Sequence, residues 1–214
     1  MAISVVVAVE SVADELCGLL TKKAESLRIG PGNEPENEMG PLITDDHKNK
    51  VIDYIQQGED AGATILLDGR DHEVTSKPGF FLGPTLFDHV NPEMSIYKEE
   101  IFGPVLVVLR VKDFNAAIKL ANEHQFGNGV AIFTNQGSKA REFVHSVEVG
   151  MVGINVAIPV PLSFYTFGGW KDSIFGSSNI YGMDGIRFFT RTKTVTARWV
   201  DDDGSINLSM PTVK

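Results

Sequence analysis

Two adjacent carboxylates, Glu99 and Glu100, are followed by Phe102, then by Gly103-Pro104 and the apolar run Val105-Leu-Val-Val-Leu109. A short apolar run bounded by Gly-Pro suits a strand covered on both faces, so the acidic pair stands at a strand mouth. There a carboxylate can accept both hydroxyls of a ribose while the ring two residues on packs beside a flat heteroaromatic base. The same residue types also suit a solvated glutamate pair and a core phenylalanine, which is their usual fate. The residues alone leave both readings open.

Other chemistry-bearing side chains are sparse. The sole cysteine, Cys17, lies in Ala13-Asp-Glu-Leu-Cys-Gly-Leu-Leu20, a stretch with helical apolar spacing. A lone cysteine on such a face behaves as a small hydrophobe. No histidine or cationic residue is near it in sequence to lower its pKa. Ser173 has no charge-relay partner in sequence. The five histidines (47, 72, 89, 124 and 145) lack the close pairings that build zinc sites. No Gly-x-Gly-x-x-Gly follows a strand, and Gly168-Gly-Trp-Lys-Asp-Ser173 lacks P-loop spacing, so the chain offers no pyrophosphate cradle of its own. Neither a catalytic residue nor a metal ligand is assigned.

The elements that must position the acidic pair follow from periodicity and punctuation. Residues 2–9 read as a buried strand, too short and without the basic lead-in of a secretory signal. Ser11 is the expected N-cap of a helix that runs to about Arg28 and stops at Gly30-Pro31-Gly32. A polar Gly/Pro-rich loop spans 32–40. Thr44 opens a second helix to about Ala61, and a short strand over 64–67 precedes a polar loop at 69–78. Another strand is expected over 80–86. After the strand at 105–109, Asp113 caps a helix to Asn122; strands at 130–133 and 151–155 flank a helix over 136–147. The stretch 156–182 is irregular, and an irregular stretch of that length is more often functional than decorative. A short helix near 184–189 leads to a final strand, 192–199, from Thr192 to Trp199. It is alternating and β-branched but has no hairpin partner beside it, so it seeks an edge elsewhere. Strands alternating with helices imply an α/β fold with a doubly wound parallel sheet.

Length and composition set outer limits. With 214 residues, 43% of them hydrophobic, the chain can bury one large core, with or without an appendage. Its 19 basic and 28 acidic side chains leave a formal charge of −9, which argues against a nucleic-acid backbone or an anionic membrane as partner. A single cysteine rules out an internal disulfide framework and suits a reducing compartment. No apolar stretch approaches the roughly 20 residues of a membrane span.

Several ordered stretches together resemble the aldehyde dehydrogenase superfamily: Gly40-Pro-Leu-Ile43, Phe81-Leu-Gly-Pro-Thr85, the Glu99-Glu-Ile-Phe-Gly-Pro104 signature, Phe126-Gly-Asn-Gly-Val130 and Phe167-Gly-Gly-Trp-Lys171. The chain closes on Lys193-Thr-Val-Thr196. Thr166 stands where the family has a proline before Phe167. Within the superfamily, Gly153-Ile-Asn-Val-Ala-Ile-Pro-Val-Pro161 looks most like the methylmalonate-semialdehyde dehydrogenases. The resemblance covers nearly the whole chain.

By that resemblance, Glu100 carries over as acceptor for the nicotinamide-ribose hydroxyls of NAD, with Glu99 structural. Phe102 carries over as the ring beside the nicotinamide, and Phe167 as a phenylalanine near the aldehyde pocket. For Phe167, a loop-anchoring role is an equal alternative. The resembled enzymes attack an aldehyde with a cysteine thiolate and pass hydride to NAD. The methylmalonate-semialdehyde members then release the acyl group to coenzyme A with loss of the substrate carboxylate, giving propionyl-CoA or acetyl-CoA. Their thiol lies in Gly-Gln-Arg-Cys-Met-Ala, and this chain reads Met1-Ala2-Ile3, as though it began one residue after the nucleophile. The resemblance therefore implies a C-terminal fragment. Residues 1–190 would be the catalytic-domain portion, 191–214 an oligomerisation strand and tail that builds a homo-oligomer, and the NAD-binding domain would lie elsewhere. The expected compartment is the cytoplasm, or the mitochondrial matrix in a eukaryote. A chain that acts only through association is the alternative; an independent enzyme built on Cys17 or Ser173 is a weaker one.

Overall fold

The computed structural model describes residues 2–197 and Trp199. The apolar run after Gly103-Pro104 becomes the central strand β4 (Val105–Val111), with β1 (Val5–Val9) and β3 (Thr85–Asp88) parallel to it on either side. Strand β2 (Thr64–Leu67) closes the far edge antiparallel to β3, giving the order β1-β4-β3-β2. Successive side chains of a strand point to opposite faces, and β4 uses both. Val105, Val107 and Leu109 pack in one core with Phe87 and with Val51 and Ile55 of helix α2 (Asp45–Asp60). Val108 packs in the other with Ala8, Leu86, and Ala13 and Cys17 of helix α1 (Glu10–Glu25). Each Val, Leu, Ile or Phe among these taken fully out of water contributes about 1.5–3 kcal/mol. A sheet covered on both faces explains why β4 reads as a continuous apolar run instead of an alternating one.

Chain order then runs through the one-turn helix α3 (Ser95–Lys98), helix α4 (Phe114–Glu123), the two-residue strand β5 (Phe126–Gly127) and strand β6 (Gly129–Ile132). Helix α5 (Gly137–Ser146) and strand β7 (Met151–Ile154) follow, β7 pairing parallel with β6. This second parallel pair has its own core of Phe143, Val147 and Val149, closed by Phe114 and Ile118 of α4. Short strand β8 (Trp170–Lys171) pairs antiparallel with β5, and helix α6 (Gly182–Phe189) comes last. The parallel α/β layering expected from the sequence is present, with one antiparallel edge strand. No helix among the described residues is long and apolar enough to cross a membrane.

Two caps are where the residue types put them. The Thr44 side chain accepts from the His47 N–H at the start of α2, and Asp113 accepts from Ala116 at the start of α4. Ser11 is not a cap. Strand β1 runs straight into α1 through Val9, with no side-chain cap, because burial of Ala13 and Cys17 against the sheet sets the helix start. Helix α1 also ends earlier than expected, at Glu25. The strand expected over 80–86 is displaced to Thr85–Asp88. Pro84 has no N–H to place in a ladder, and pairing begins when the Thr85 N–H donates to the Pro104 carbonyl (2.8 Å). The expected final strand is not paired: 192–197 and Trp199 form no ladder among the described residues. Arg198 and the tail, 200–214, lie outside the described residues.

Candidate functional site

Helix α2 builds the turn at the N-terminal end of β4 from below. Its residues 47, 51 and 55 fall one turn apart on a single face. Val51 and Ile55 are fully buried. A Cβ on Gly103 would come within 2.7–2.8 Å of the Val51 methyls, so only glycine lets the turn lie this close to the helix. One turn earlier, His47 Nε2 donates to the Phe102 carbonyl at 2.8 Å. A carbonyl can only accept, so Nε2 carries the proton. Ile101 is buried and pins the turn from within.

Phe102 adopts φ = +57°, the left-handed region, which costs a bulky residue roughly 1–2 kcal/mol. The residue is 77% exposed. The nearest ring is His47, edge-on at a centroid distance of 6.5 Å. This excludes the core-phenylalanine reading of the sequence. Glu99 and Glu100 are exposed, and neither side chain makes a hydrogen bond or ion pair among the described residues. The turn therefore offers solvent two free carboxylates and an aromatic face on a strained, tightly supported backbone. Such strain persists only where the surroundings over-determine it, and it concentrates at ligand clamps.

A second layer links this turn to the Phe167-Gly-Gly-Trp-Lys171 segment. Tyr97 and Lys98, just before the acidic pair, offer their carbonyls to His124 Nε2 (3.1 Å) and Gln125 Nε2 (3.1 Å). The Asp172 N–H donates to the Gln125 carbonyl, and the Gly127 N–H donates to Ser173 Oγ (3.0 Å). Lys171 reaches back so that its Nζ donates to the Asn122 (2.6 Å) and His124 (3.1 Å) carbonyls at the end of α4. A cation suits a helix C-terminus, where carbonyls are orphaned and the dipole is negative. Ser173 and Lys171 are thus structural groups in this arrangement. Phe167 is half-buried and stacks on Tyr181 at 4.9 Å and 27°. It is an anchored ring, unlike Phe102. Among the described residues, no hydrogen bond or ring contact joins it to Glu100 or Phe102.

Cys17 is 4% exposed beneath α1. Burial, followed by the nearby Asp88 carboxylate, pushes its thiol above the ordinary range, and the opposing influence of Arg110 does not reverse this. A thiol held neutral and out of reach of solvent is not a nucleophile. At the end of the strands opposite the 99–104 turn, Asp88 is 3% exposed and takes two hydrogen bonds from Arg110, from Nε at 3.0 Å and from Nη2 at 2.6 Å. Burial alone would raise the Asp88 carboxyl. The Arg110 bonds and the His89 N–H outweigh it and hold the group below its usual value. No cluster among the described residues has the donor set for a metal ion.

Sequence reasoning singled out Glu100, Phe102 and Phe167 as candidates but not His47, which lies 55 positions from the residue it holds. Its one local signal is a place three residues after the capping Thr44, in the first turn of a helix.

The model of the aldehyde dehydrogenase family matches residues 1–195. The chain is 51% identical over 201 residues to a malonate-semialdehyde dehydrogenase of Pseudomonas aeruginosa, covering 93% of this chain and 40% of that protein. It superposes with a TM-score of 0.90 on the crystal structure of a methylmalonate-semialdehyde dehydrogenase from Oceanimonas doudoroffii, at 49% identity over 94% of this chain and 41% of that one. It also superposes, with a TM-score of 0.80 and 32% identity over 88% of this chain and 38% of that one, on a Mycobacterium tuberculosis aldehyde dehydrogenase complexed with NAD+. The chain thus spans about two-fifths of the length of these relatives. Over that span the fold and the sequence agree, and the chain belongs to the aldehyde dehydrogenase family.

Proposed function

We propose that this chain forms the C-terminal part of the catalytic domain of an NAD-dependent, CoA-acylating malonate- or methylmalonate-semialdehyde dehydrogenase, and that it supplies one wall of the active site. The observation that carries this reading is the turn at 99–104. An exposed, unbonded carboxylate and an exposed ring share a backbone whose strain helix α2 supports. That surface fits half of a nicotinamide riboside, with the Glu100 carboxylate accepting the ribose hydroxyls and the Phe102 ring lying beside the base. When bound, NAD supplies the hydride acceptor. The chain's own groups orient that acceptor, and a charged acceptor bond of this kind contributes roughly 1.5–3 kcal/mol.

Phe167, fixed by its stack on Tyr181, is assigned to the edge of the aldehyde pocket. Cys17 is buried and held neutral, so the nucleophile is assigned to a part of the longer protein outside this sequence, as are the donors for the developing oxyanion. The pyrophosphate of NAD is placed there too. Coenzyme A is the proposed acyl acceptor, as the motif resemblance to the methylmalonate-semialdehyde dehydrogenases implies. Residues 1–190 are proposed as the catalytic portion and 191–214 as an oligomerising strand with its tail. The compartment is the cytoplasm, or the mitochondrial matrix in a eukaryote.

Residues 192–199 are proposed to pair with another copy of the chain. Supporting this, Val195 and Trp199 are exposed and the described residues of that segment form no ladder within the chain. Unpaired strand groups need an edge. Thr194→Pro, which removes a ladder donor, should lower the mass seen by light scattering after size-exclusion chromatography; an unchanged mass rejects the strand as the cause.

The test of function is a graft. This chain replaces the segment it matches in the Pseudomonas aeruginosa relative, and NADH production is followed from malonate and methylmalonate semialdehydes with CoA. The graft should turn over, and the isolated chain should not. A folded graft without activity contradicts the proposal. Turnover by the isolated chain that Cys17→Ser abolishes would make Cys17 the nucleophile.

A further inference from the structure

The Phe102 ring has almost nothing to rest on. The residue is 77% exposed, and its one ring neighbour among the described residues, His47, meets it edge-on at 6.5 Å. Packing therefore cannot fix where the ring points; the backbone must. That backbone is in the left-handed region at φ = +57°, from which a bulky residue relaxes unless it is held. Two contacts hold it. Gly103 is pressed against the Val51 methyls, and His47 Nε2 donates to the Phe102 carbonyl at 2.8 Å. The first is a steric limit that permits the turn without imposing its direction. The second is directional. The His47 backbone is itself fixed, because its main-chain N–H donates to Thr44 Oγ1 (3.1 Å) in the first turn of α2. The next turn of that helix carries the buried Val51.

We infer that His47 is a positioning residue: its Nε2–H holds the Phe102 carbonyl and so sets the aim of the ring that flanks the nicotinamide. The inference rests on the reading of the 99–104 turn as a nicotinamide wall. Because Nε2–H is present both in the required neutral tautomer and in the imidazolium, the link itself does not depend on protonation. Losing it frees the turn to leave the left-handed region and swing the ring away, while the rest of the dinucleotide keeps its hold. The consequence is a slower hydride step at nearly unchanged NAD affinity. A residue that merely stabilised the fold would not separate those two quantities.

The test uses both this chain and the graft, with His47→Leu, which has no donor, and His47→Gln, which keeps an N–H donor at similar reach. In the chain alone, ring-nitrogen NMR should show His47 protonated at Nε2. His47→Leu should shift the backbone signals of residues 100–104 while leaving those of β4 in place, and His47→Gln should bring them back toward the native positions. In the graft, His47→Leu should slow the NADH burst about fivefold, the worth of one ordinary hydrogen bond. NAD affinity, measured by equilibrium titration, should change less than about twofold, and His47→Gln should recover most of the rate. A neutral His47 protonated at Nδ1, or unmoved 100–104 signals in His47→Leu, overturns the link. A native burst rate in His47→Leu, or a rate loss matched by an equal loss of NAD affinity, overturns the positioning role. If the unmutated graft gives no burst while the NMR result holds, the reading of the wall has failed and the His47–Phe102 link stands.

Discussion

At the C-terminal end of the central strands, Asp88 is buried and grips Arg110 through both oxygens, whereas at the N-terminal end Glu99 and Glu100 stand in solvent without a partner among the described residues. The same strands thus carry two kinds of carboxylate. Asp88 is satisfied, desolvated and shifted toward its charged form by its partner. Glu100 has spare acceptor capacity beside an exposed ring and a strained backbone. The first arrangement is what a scaffold does with a charge it must bury. The second has no structural use, and unsatisfied, strained or exposed features that gather in one turn mark where a ligand supplies what the chain does not.

Substitutions at the two ends should separate these roles, and the largest effect on stability belongs to the buried pair. Arg110→Leu leaves Asp88 buried with its main partner gone, and urea unfolding should show the largest loss of stability in this series. The pair also fixes the acid response. The Asp88 pKa is lower folded than unfolded, so its stabilising contribution is complete above the unfolded value of roughly 4. That contribution is lost as pH falls through the lower folded value. Asp88→Asn should flatten that acid limb, and a limb as steep as native would mean that other carboxylates set it.

Next in size is Gly103→Ala, which drives a methyl into Val51 and should cost about 1–3 kcal/mol. The loss should be accompanied by movement of the 100–104 signals in NMR. If the variant is as stable as native, helix α2 does not brace the turn. Thr44→Ala removes the cap that accepts from His47 and should cost about 1 kcal/mol in the same unfolding assay. At the foot of the series, Glu100→Gln should change stability by less than about 0.5 kcal/mol, the usual range for an exposed position free of special contacts. A larger loss would mean Glu100 is part of the scaffold.

Much of this layout was legible from residue types. Val105–Val111 is apolar at every position but Arg110 because both of its faces are buried, and Thr44 and Asp113 cap the helices they precede. What the sequence hid was set by contacts between distant residues. Ser11 has the chemistry of a cap, but packing of Ala13 and Cys17 started the helix before it. The strand expected from residue 80 waited for the Pro104 carbonyl to receive the Thr85 N–H. Glu100, Phe102 and Phe167 stood out only because they fall in ordered motifs; their types alone allowed an ordinary surface pair, a core ring and a loop-anchoring ring. His47 carried no such mark, since its partner is a backbone carbonyl 55 positions away in sequence. A pattern of side chains cannot show a bond to a backbone whose conformation is set by the fold.

The contrast between the two ends comes down to one carboxylate. In the graft, pre-steady-state NADH bursts should be measured for Glu100→Gln and Glu99→Gln side by side. The expected result is a burst slowed by about one to two orders of magnitude in Glu100→Gln, the rate equivalent of a lost charged-acceptor bond, with Glu99→Gln close to native. An unchanged burst in Glu100→Gln, or slowing in Glu99→Gln instead, would contradict the assignment of Glu100 as the group that orients the hydride acceptor.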